Sequence, residues 1–105
     1  MLNVPLFGQN KMKKITKKFI VEGFVQGVGY RYFAHRKAIE YSISGYVKNW
    51  MNGNVEVLAH GFEENIEQFK NQLEIGPQRA NVKRVSEIQD DFSNSSTDFY
   101  EFVIY

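Results

Sequence analysis

Residues 23–31 read GFVQGVGYR, and this glycine-rich run joins a predicted strand to a predicted helix. The residues before it, Phe19-Ile20-Val21, have the β-branched and aromatic composition of a strand, and residues 32–38 have the pattern of a helix. The first turn of a helix leaves backbone N–H groups unpaired at the positive end of the helix dipole, an arrangement that favours an anion. The sequence therefore predicts an anion site at this junction.

Two glycines and one arginine would equip the junction to bind phosphate. Gly27 and Gly29 can adopt positive φ and bring backbone donors close to a ligand, because neither carries a Cβ. The planar guanidinium of Arg31 matches two oxygens of a phosphate group. The loop alone is also compatible with a simpler interpretation, in which the glycines only make a tight turn and Arg31 is a solvated surface charge.

The composition limits the classes of protein to consider. A chain of 105 residues is expected to form one domain. The absence of cysteine excludes disulfides, a zinc–thiolate site and a cysteine nucleophile, and it fits a cytoplasmic location. A formal net charge of +1 argues against a general polyanion binder, and no run reaches the length of a membrane span. We therefore expect no nucleic-acid or membrane partner. We also expect a monomer, although composition and charge do not bear on the oligomeric state.

The chain is predicted to begin with a loose leader, residues 1–14, followed by a folded domain over residues 15–105. Pro5 and Gly8 lie in the leader, which shows no sustained hydrophobic period. Within the domain, the first strand is predicted over residues 17–25 and is apolar on most of both faces, which is typical of a central strand.

The middle of the chain predicts a helix and a hairpin. The helix spans residues 30–42, and strands follow at residues 44–49 and 54–60. Asn52-Gly53 between these strands tolerates the positive φ values of a tight turn, which makes the two strands antiparallel neighbours.

A second helix and two further strands complete the predicted fold. The helix ends at Gly76-Pro77 and has four apolar residues at helical spacing: Phe62, Ile66, Phe69 and Leu73. A strand is predicted at residues 81–90, with a bulge or twist because its apolar residues are three apart, and a last strand at residues 99–105. The order β-α-β-β-α-β plus a C-terminal strand predicts an α+β, ferredoxin-like split β-α-β sandwich, with an antiparallel sheet and both helices on one face.

Asn49 is the other candidate for chemistry. It ends the second predicted strand, and this fold places that end beside the loop after the first strand. A carboxamide can hold a water but cannot act as a general base, so the reaction needs a leaving group that departs without a proton. Carboxyl phosphates meet this condition. The alternative is that Asn49 only closes the turn near Asn52-Gly53.

Other phosphate and metal chemistries do not fit the sequence. The loop lacks the Gly-Lys-Ser/Thr of a Walker motif and the third glycine of a dinucleotide fingerprint. The spacing of His35 and His60 does not suggest a metal pair. These patterns therefore favour neither a nucleotide site nor a pair of histidine ligands to a metal.

Several motifs at their family spacing make the sequence from Lys17 to Tyr105 resemble the acylphosphatase family. They are VxGxVQGVGYR at residues 21–31, GYVKNxxNGxVEV at residues 45–57, and then Gly61, Phe69 and Gly76-Pro77. The resemblance implies the ferredoxin-like fold and hydrolysis of small-molecule acyl phosphates to a carboxylate and inorganic phosphate without a cofactor.

The resemblance also implies roles for particular residues. Arg31 would bind the phosphoryl oxygens, and Asn49 would hold the attacking water in line with the scissile bond. Backbone N–H groups would complete the phosphate site along the loop formed by Val25, Gln26, Gly27, Val28, Gly29 and Tyr30. The family often has glycine where this chain has Ser42, so a left-handed helix cap there would be strained by roughly 1 kcal/mol.

Two other functions remain open on sequence alone. Some ferredoxin-like domains bind RNA or other anions without catalysis, through aromatic residues on their strands, although the first strand here lacks the aromatic RNA-binding signature. Acylphosphatase-like domains also occur as accessory parts of larger carbamoyl-transfer maturation proteins. The first strand and the near-neutral charge favour the enzyme.

Overall fold

The computed structural model describes residues 13–89 and 100–105. Within these residues it contains five strands and two α-helices: β1 Lys14–Phe24, α1 Tyr30–Glu40, β2 Ser44–Asn49, β3 Val55–Phe62, α2 Glu63–Ile75, β4 Asn81–Ile88 and β5 Phe102–Ile104. A short 3₁₀ helix, Met51–Gly53, lies between β2 and β3. The strands form one sheet in the order β4-β1-β3-β2-β5. This arrangement confirms the predicted ferredoxin-like split β-α-β sandwich and the central position of the first strand.

The fifth strand makes the sheet mixed. β1, β2, β3 and β4 pair with their neighbours in antiparallel fashion, as predicted, whereas β5 pairs with β2 in parallel. The described end of β4 and the start of β5 lie at the same end of the sheet, because Ile88 is level with Lys18 of β1 and Phe102 is level with Gly45 of β2. β5 must therefore run in the direction of β2.

The boundary between leader and domain stays a prediction. β1 begins three residues earlier than the predicted Lys17, and Lys14, assigned to the leader, already pairs with Phe62. Residues 1–12 lie outside the described residues, as does Phe99 at the start of the predicted last strand.

Each helix buries one apolar face, and α2 buries three of the four residues of its predicted stripe. The fourth, Phe62, is instead the last residue of β3 and is half-buried. α1 buries Tyr30, Phe33, Ala34 and Ala38, and α2 buries Ile66, Phe69 and Leu73. These side chains pack against one face of the sheet, where β1 contributes Phe19 and Val21 and β3 contributes Val55 and Val57, all fully buried. A single apolar core therefore holds both helices against the sheet.

The predicted irregularity in the fourth strand is a bulge. Glu22 of β1 pairs with Arg84, but the next residue, Gly23, pairs with Val82, so Lys83 is an extra residue in β4. A Cβ on Gly23 would lie 2.2 Å from the carbonyl oxygen of Asn81, which only glycine avoids. The bulged strand thus fixes the end of β1 directly before the glycine-rich loop.

A buried carboxylate lies on the sheet face away from the helices. Glu56 of β3 is only 4% exposed, and it accepts a hydrogen bond from the hydroxyl of Tyr46 in β2. Its Oε2 lies 3.9 Å from Nζ of Lys48 in β2 and 4.0 Å from Nζ of Lys18 in β1. A buried charge requires such partners, so Glu56 favours one register among the three strands.

The end of α1 has the strained cap that the sequence indicates. Ser42 has φ 58°, and the N–H of Ile43 donates to the carbonyl oxygen of Ala38 at 2.7 Å. This is the hydrogen-bond pattern of a Schellman cap, in which glycine normally occupies the left-handed position. Serine adopts that conformation here at a cost in stability.

Replacing Ser42 by glycine is expected to stabilise the protein by about 0.5–1 kcal/mol, because glycine removes the clash of Cβ in the left-handed region. The measurement is the thermal midpoint, which should rise by a few degrees for a domain of this size. Ser42→Ala is the matched control, since it keeps the Cβ. An equal rise in both variants, or no rise with glycine, would contradict the explanation.

Candidate active site

The glycine-rich loop adopts the backbone conformation that its sequence predicts. Gly27 has φ 75° and Gly29 has φ 81°, both left-handed. A Cβ built on either residue would meet nothing within 4 Å, so the requirement for glycine is conformational and not steric. α1 begins directly after Gly29, whose carbonyl oxygen accepts the N–H of Phe33 at 3.0 Å. The N–H groups of the first helical turn therefore point out of the N-terminus of α1.

Three buried side chains attach this loop to the core. Val25 and Tyr30 are each 1% exposed, and Val28 is 9% exposed. The loop backbone between them is thus fixed at its start, its middle and its end. Such a rigid loop can present its N–H groups to a ligand without first being ordered.

Tyr30 anchors the end of the loop with a buried hydrogen bond. Its hydroxyl donates to the carbonyl oxygen of Leu73 in α2 at 2.7 Å. Burial raises the pKa of Tyr30, and the nearby charge of Glu74 raises it further. The phenol therefore stays neutral in the folded protein and links the start of α1 to the last turn of α2.

Tyr30→Phe is expected to lower the free energy of unfolding by about 1 kcal/mol at pH 7, because Leu73 loses its hydrogen-bond donor. The difference should shrink above pH 10, the ordinary pKa of tyrosine. There the unfolded phenol ionises while the folded phenol stays protonated, so the wild-type protein loses stability as the pH rises.

The measurement is urea denaturation at several pH values. The matched control is Tyr32→Phe, which changes an exposed tyrosine on the same helix. Equal stability of Tyr30→Phe and wild type at pH 7 would show that the buried bond contributes nothing.

Arg31, in the first turn of α1, reaches β2 and β5 at the far side of the sheet. Its Nη1 donates to the main-chain oxygen of Tyr105 at 2.6 Å, and the N–H of Tyr105 donates to the carbonyl oxygen of Val47 in β2 at 2.9 Å. Val47 lies two residues before Asn49. A guanidinium carries five N–H donors, so this contact leaves donors that can bind phosphate oxygens.

Asn49 lies at the same end of the sheet as the loop. It is the last residue of β2 and pairs with Val55 of β3, which in turn pairs with Val21 of β1, three residues before β1 ends. β1 and β2 are both antiparallel to β3, so their C-terminal ends share this edge. Asn49 is exposed there. The structure thus places the end of β2, with Asn49, at the same end of the sheet as the glycine-rich loop, and the catalytic role of Asn49 stays a prediction.

The hairpin after Asn49 is also joined to the loop, and this link was not predicted. Nε2 of Gln26 donates to the carbonyl oxygens of Trp50 at 2.9 Å and Asn54 at 2.6 Å. The predicted tight turn itself is present, with φ 61° at Asn52 and φ 80° at Gly53. The only feature of the sequence that could have indicated this link is the long amide side chain of Gln26 within the glycine-rich loop.

The two histidines are not part of this arrangement. His35 packs its ring 6.2 Å from that of Phe102 and lines a cavity of about 530 Å³ beside the C-terminal end of α1. His60 pairs its Nδ1 with the hydroxyl of Thr16 at 2.8 Å. Among residues 13–89 and 100–105, no three histidine, cysteine or acidic side chains cluster as metal ligands would. In the same part of the chain, no helix is long and apolar enough to cross a membrane.

These features define a class of small α+β sandwich with a candidate phosphate site at a strand-to-helix loop. The model of one protein family, Acylphosphatase, matches residues 17–101. The chain therefore belongs to the acylphosphatase family.

Curated relatives and a solved structure agree with this assignment. The acylphosphatase of Mannheimia succiniciproducens is 47% identical over 73 residues, which cover 70% of this chain and 81% of the relative. The acylphosphatase of Vibrio cholerae is 42% identical over 85 residues, which cover 77% of this chain and 93% of the relative. The crystal structure of acylphosphatase from Bacillus subtilis superimposes with a TM-score of 0.78 at 32% identity, covering 89% of this chain and 99% of that one. The protein is an enzyme that hydrolyses acyl phosphates to a carboxylate and inorganic phosphate.

Proposed function

We propose that the reaction takes place between the glycine-rich loop and the end of β2, with Arg31 and Asn49 as the catalytic residues. The observation that carries this proposal is the hydrogen bond from Arg31 to Tyr105, which sets the guanidinium beside the strand that ends in Asn49. The rigid loop, the guanidinium and the carboxamide then share one edge of the sheet.

The phosphoryl group binds in the loop from Val25 to Tyr30. Backbone N–H groups of the loop and of the first turn of α1 donate to its oxygens, and the positive end of the helix dipole adds to the attraction. Arg31 donates two parallel hydrogen bonds to the same group. These donors stay in place during the reaction, so they stabilise the charge that spreads over the phosphoryl oxygens in the transition state.

Asn49 holds the attacking water through its carboxamide. The amide oxygen accepts one hydrogen of the water and directs a lone pair of the water oxygen at phosphorus, opposite the leaving carboxylate. Residues 25–31 and 49–54 contain no carboxylate and no histidine that could act as a general base. The phosphoryl group itself takes the proton from the water, and the carboxylate leaves without one.

The enzyme is proposed to work as a cytoplasmic monomer, without a metal, an organic cofactor or a nucleic acid. The absence of cysteine supports a reducing compartment, and the net charge of +1 argues against a polyanionic partner. The site proposed here is also complete within one chain.

Arg31→Ala is expected to lower kcat/KM for benzoyl phosphate at least about 100-fold, because the charged donors to the phosphoryl group are lost. Inhibition by inorganic phosphate should weaken in parallel. The kcat/KM of Arg31→Lys should lie between the values for wild type and Arg31→Ala, since lysine keeps the charge but not the planar pair of donors.

The assay is steady-state hydrolysis with and without a chelator, which should have no effect on the rate. Arg36→Ala is the matched control, because Arg36 is an exposed arginine on the same helix. Unchanged activity in Arg31→Ala would refute the proposed site, and loss of activity in chelator would indicate a metal.

Asn49→Ala is expected to lower kcat about 100-fold while KM and phosphate inhibition change little, because the lost group positions water and does not bind the phosphate. The exposed Asn71 of α2 provides the control, Asn71→Ala. A variant that binds phosphate much more weakly but keeps its kcat would show that Asn49 binds substrate instead.

A further inference from the structure

From the two hydrogen bonds of its side chain, we infer that Gln26 is a positioning residue that holds Asn49 in register with the phosphate loop. Its Nε2 donates to the carbonyl oxygens of Trp50 and Asn54, at 2.9 Å and 2.6 Å. Both acceptors are carbonyl oxygens, so the NH₂ group and not the amide oxygen must face them. One side chain of the loop thus uses both of its N–H donors on the hairpin that follows Asn49.

The hairpin is held at its base by the pairing of Asn49 with Val55 and by Lys48, whose Nζ lies 5.5 Å from the centre of the Trp50 ring, but these contacts fix it to β2 and β3 and not to the loop. Its residues from Trp50 to Gly53 are exposed, and Asn54 is half-buried. Its own backbone bonds, from Trp50 N–H to Asn54 at 2.7 Å and from Asn54 N–H to Met51 at 3.2 Å, shape the turn but do not hold it to the rest of the molecule.

The loop, in contrast, does not depend on this link. Val25, Val28 and Tyr30 bury their side chains in the core on both sides of Gln26. Removing the amide group of Gln26 therefore leaves the phosphate-binding N–H groups in place but frees the hairpin. The backbone of Asn49 stays paired with Val55, but the hairpin directly after it is no longer held to the loop, so the distance between Asn49 and the phosphoryl group is less tightly fixed.

This inference rests on the proposed roles of the loop and Asn49, and it separates two kinetic effects. A misplaced water-holding group slows the chemical step, whereas binding of the phosphoryl group depends on the loop and Arg31. Loss of the Gln26 amide should therefore lower kcat with little change in the affinity for phosphate.

The chain contains a built-in reporter for the hairpin. Trp50 is the single tryptophan of the sequence, and the residue is 37% exposed. The quenching of its fluorescence by acrylamide measures how accessible the indole is, which should increase when the hairpin moves more freely, and it needs no substrate. The physical link can thus be tested even if the proposed catalytic roles fail.

The test uses Gln26→Leu, which keeps most of the side-chain volume but removes both donors. We expect kcat for benzoyl phosphate to fall about tenfold, because small displacements of a reacting group are costly. The inhibition constant of inorganic phosphate should change less than about twofold, and quenching of Trp50 should increase. Gln26→Asn, whose shorter side chain cannot reach both carbonyl oxygens, should show the same changes. It replaces Gln26→Leu in the test if the leucine variant folds poorly.

Two controls separate the link from general effects. Gln68→Leu makes the same substitution at an exposed position of α2, and Ile66→Val lowers stability in the core far from the loop. Neither should change kcat or the quenching of Trp50. The inference is overturned if either kcat or the quenching is unchanged in the Gln26 variants. A parallel loss of phosphate affinity and kcat would overturn it too, because Gln26 would then serve phosphate binding.

Discussion

The antiparallel pairing of β3 between β1 and β2 is the constraint on which the site depends. It makes β1 and β2 run in the same direction, so that the loop after one and the last residue of the other meet at one edge of the sheet. The buried carboxylate of Glu56 favours this register, because its partners lie on both flanking strands. A shift of β2 by one residue against β3 would turn the side chain of Asn49 to the other face of the sheet.

Much of the fold and the conformation of the glycine-rich loop could be predicted because their signals are local. Apolar residues at helical spacing identify both buried helix faces, and the three-residue spacing in β4 correctly indicates the bulge at Lys83. The left-handed conformations of Gly27, Gly29 and Asn52 follow from residue types alone. Even the strained cap at Ser42 could be anticipated, since only the residue type had to be compared with the geometry of a helix end.

What the sequence could not reveal lies in contacts between distant residues. The side chain of Gln26 binds carbonyl oxygens 24 and 28 residues away, and that of Arg31 binds one 74 residues away. Such bonds from a side chain to the backbone leave no period in the sequence, because any residue supplies the acceptor. The sequence analysis predicted an antiparallel sheet and so missed the parallel pairing of β5 with β2. The direction of β5 depends on the end of the sheet at which β4 stops, and this is a long-range feature as well.

The anchoring of Arg31 has a consequence for the order of assembly. The carbonyl oxygen that holds its guanidinium belongs to the residue after β5, a strand of three residues that pairs with β2 across a long sequence separation. Closing so long a chain segment is entropically costly, and short edge strands separate most readily in local unfolding. The turn of the phosphate loop and helix α1 involve neighbouring residues, but the guanidinium of Arg31 is held only once β5 has paired with β2. Full preorganisation of the site thus requires the last strand to be in place.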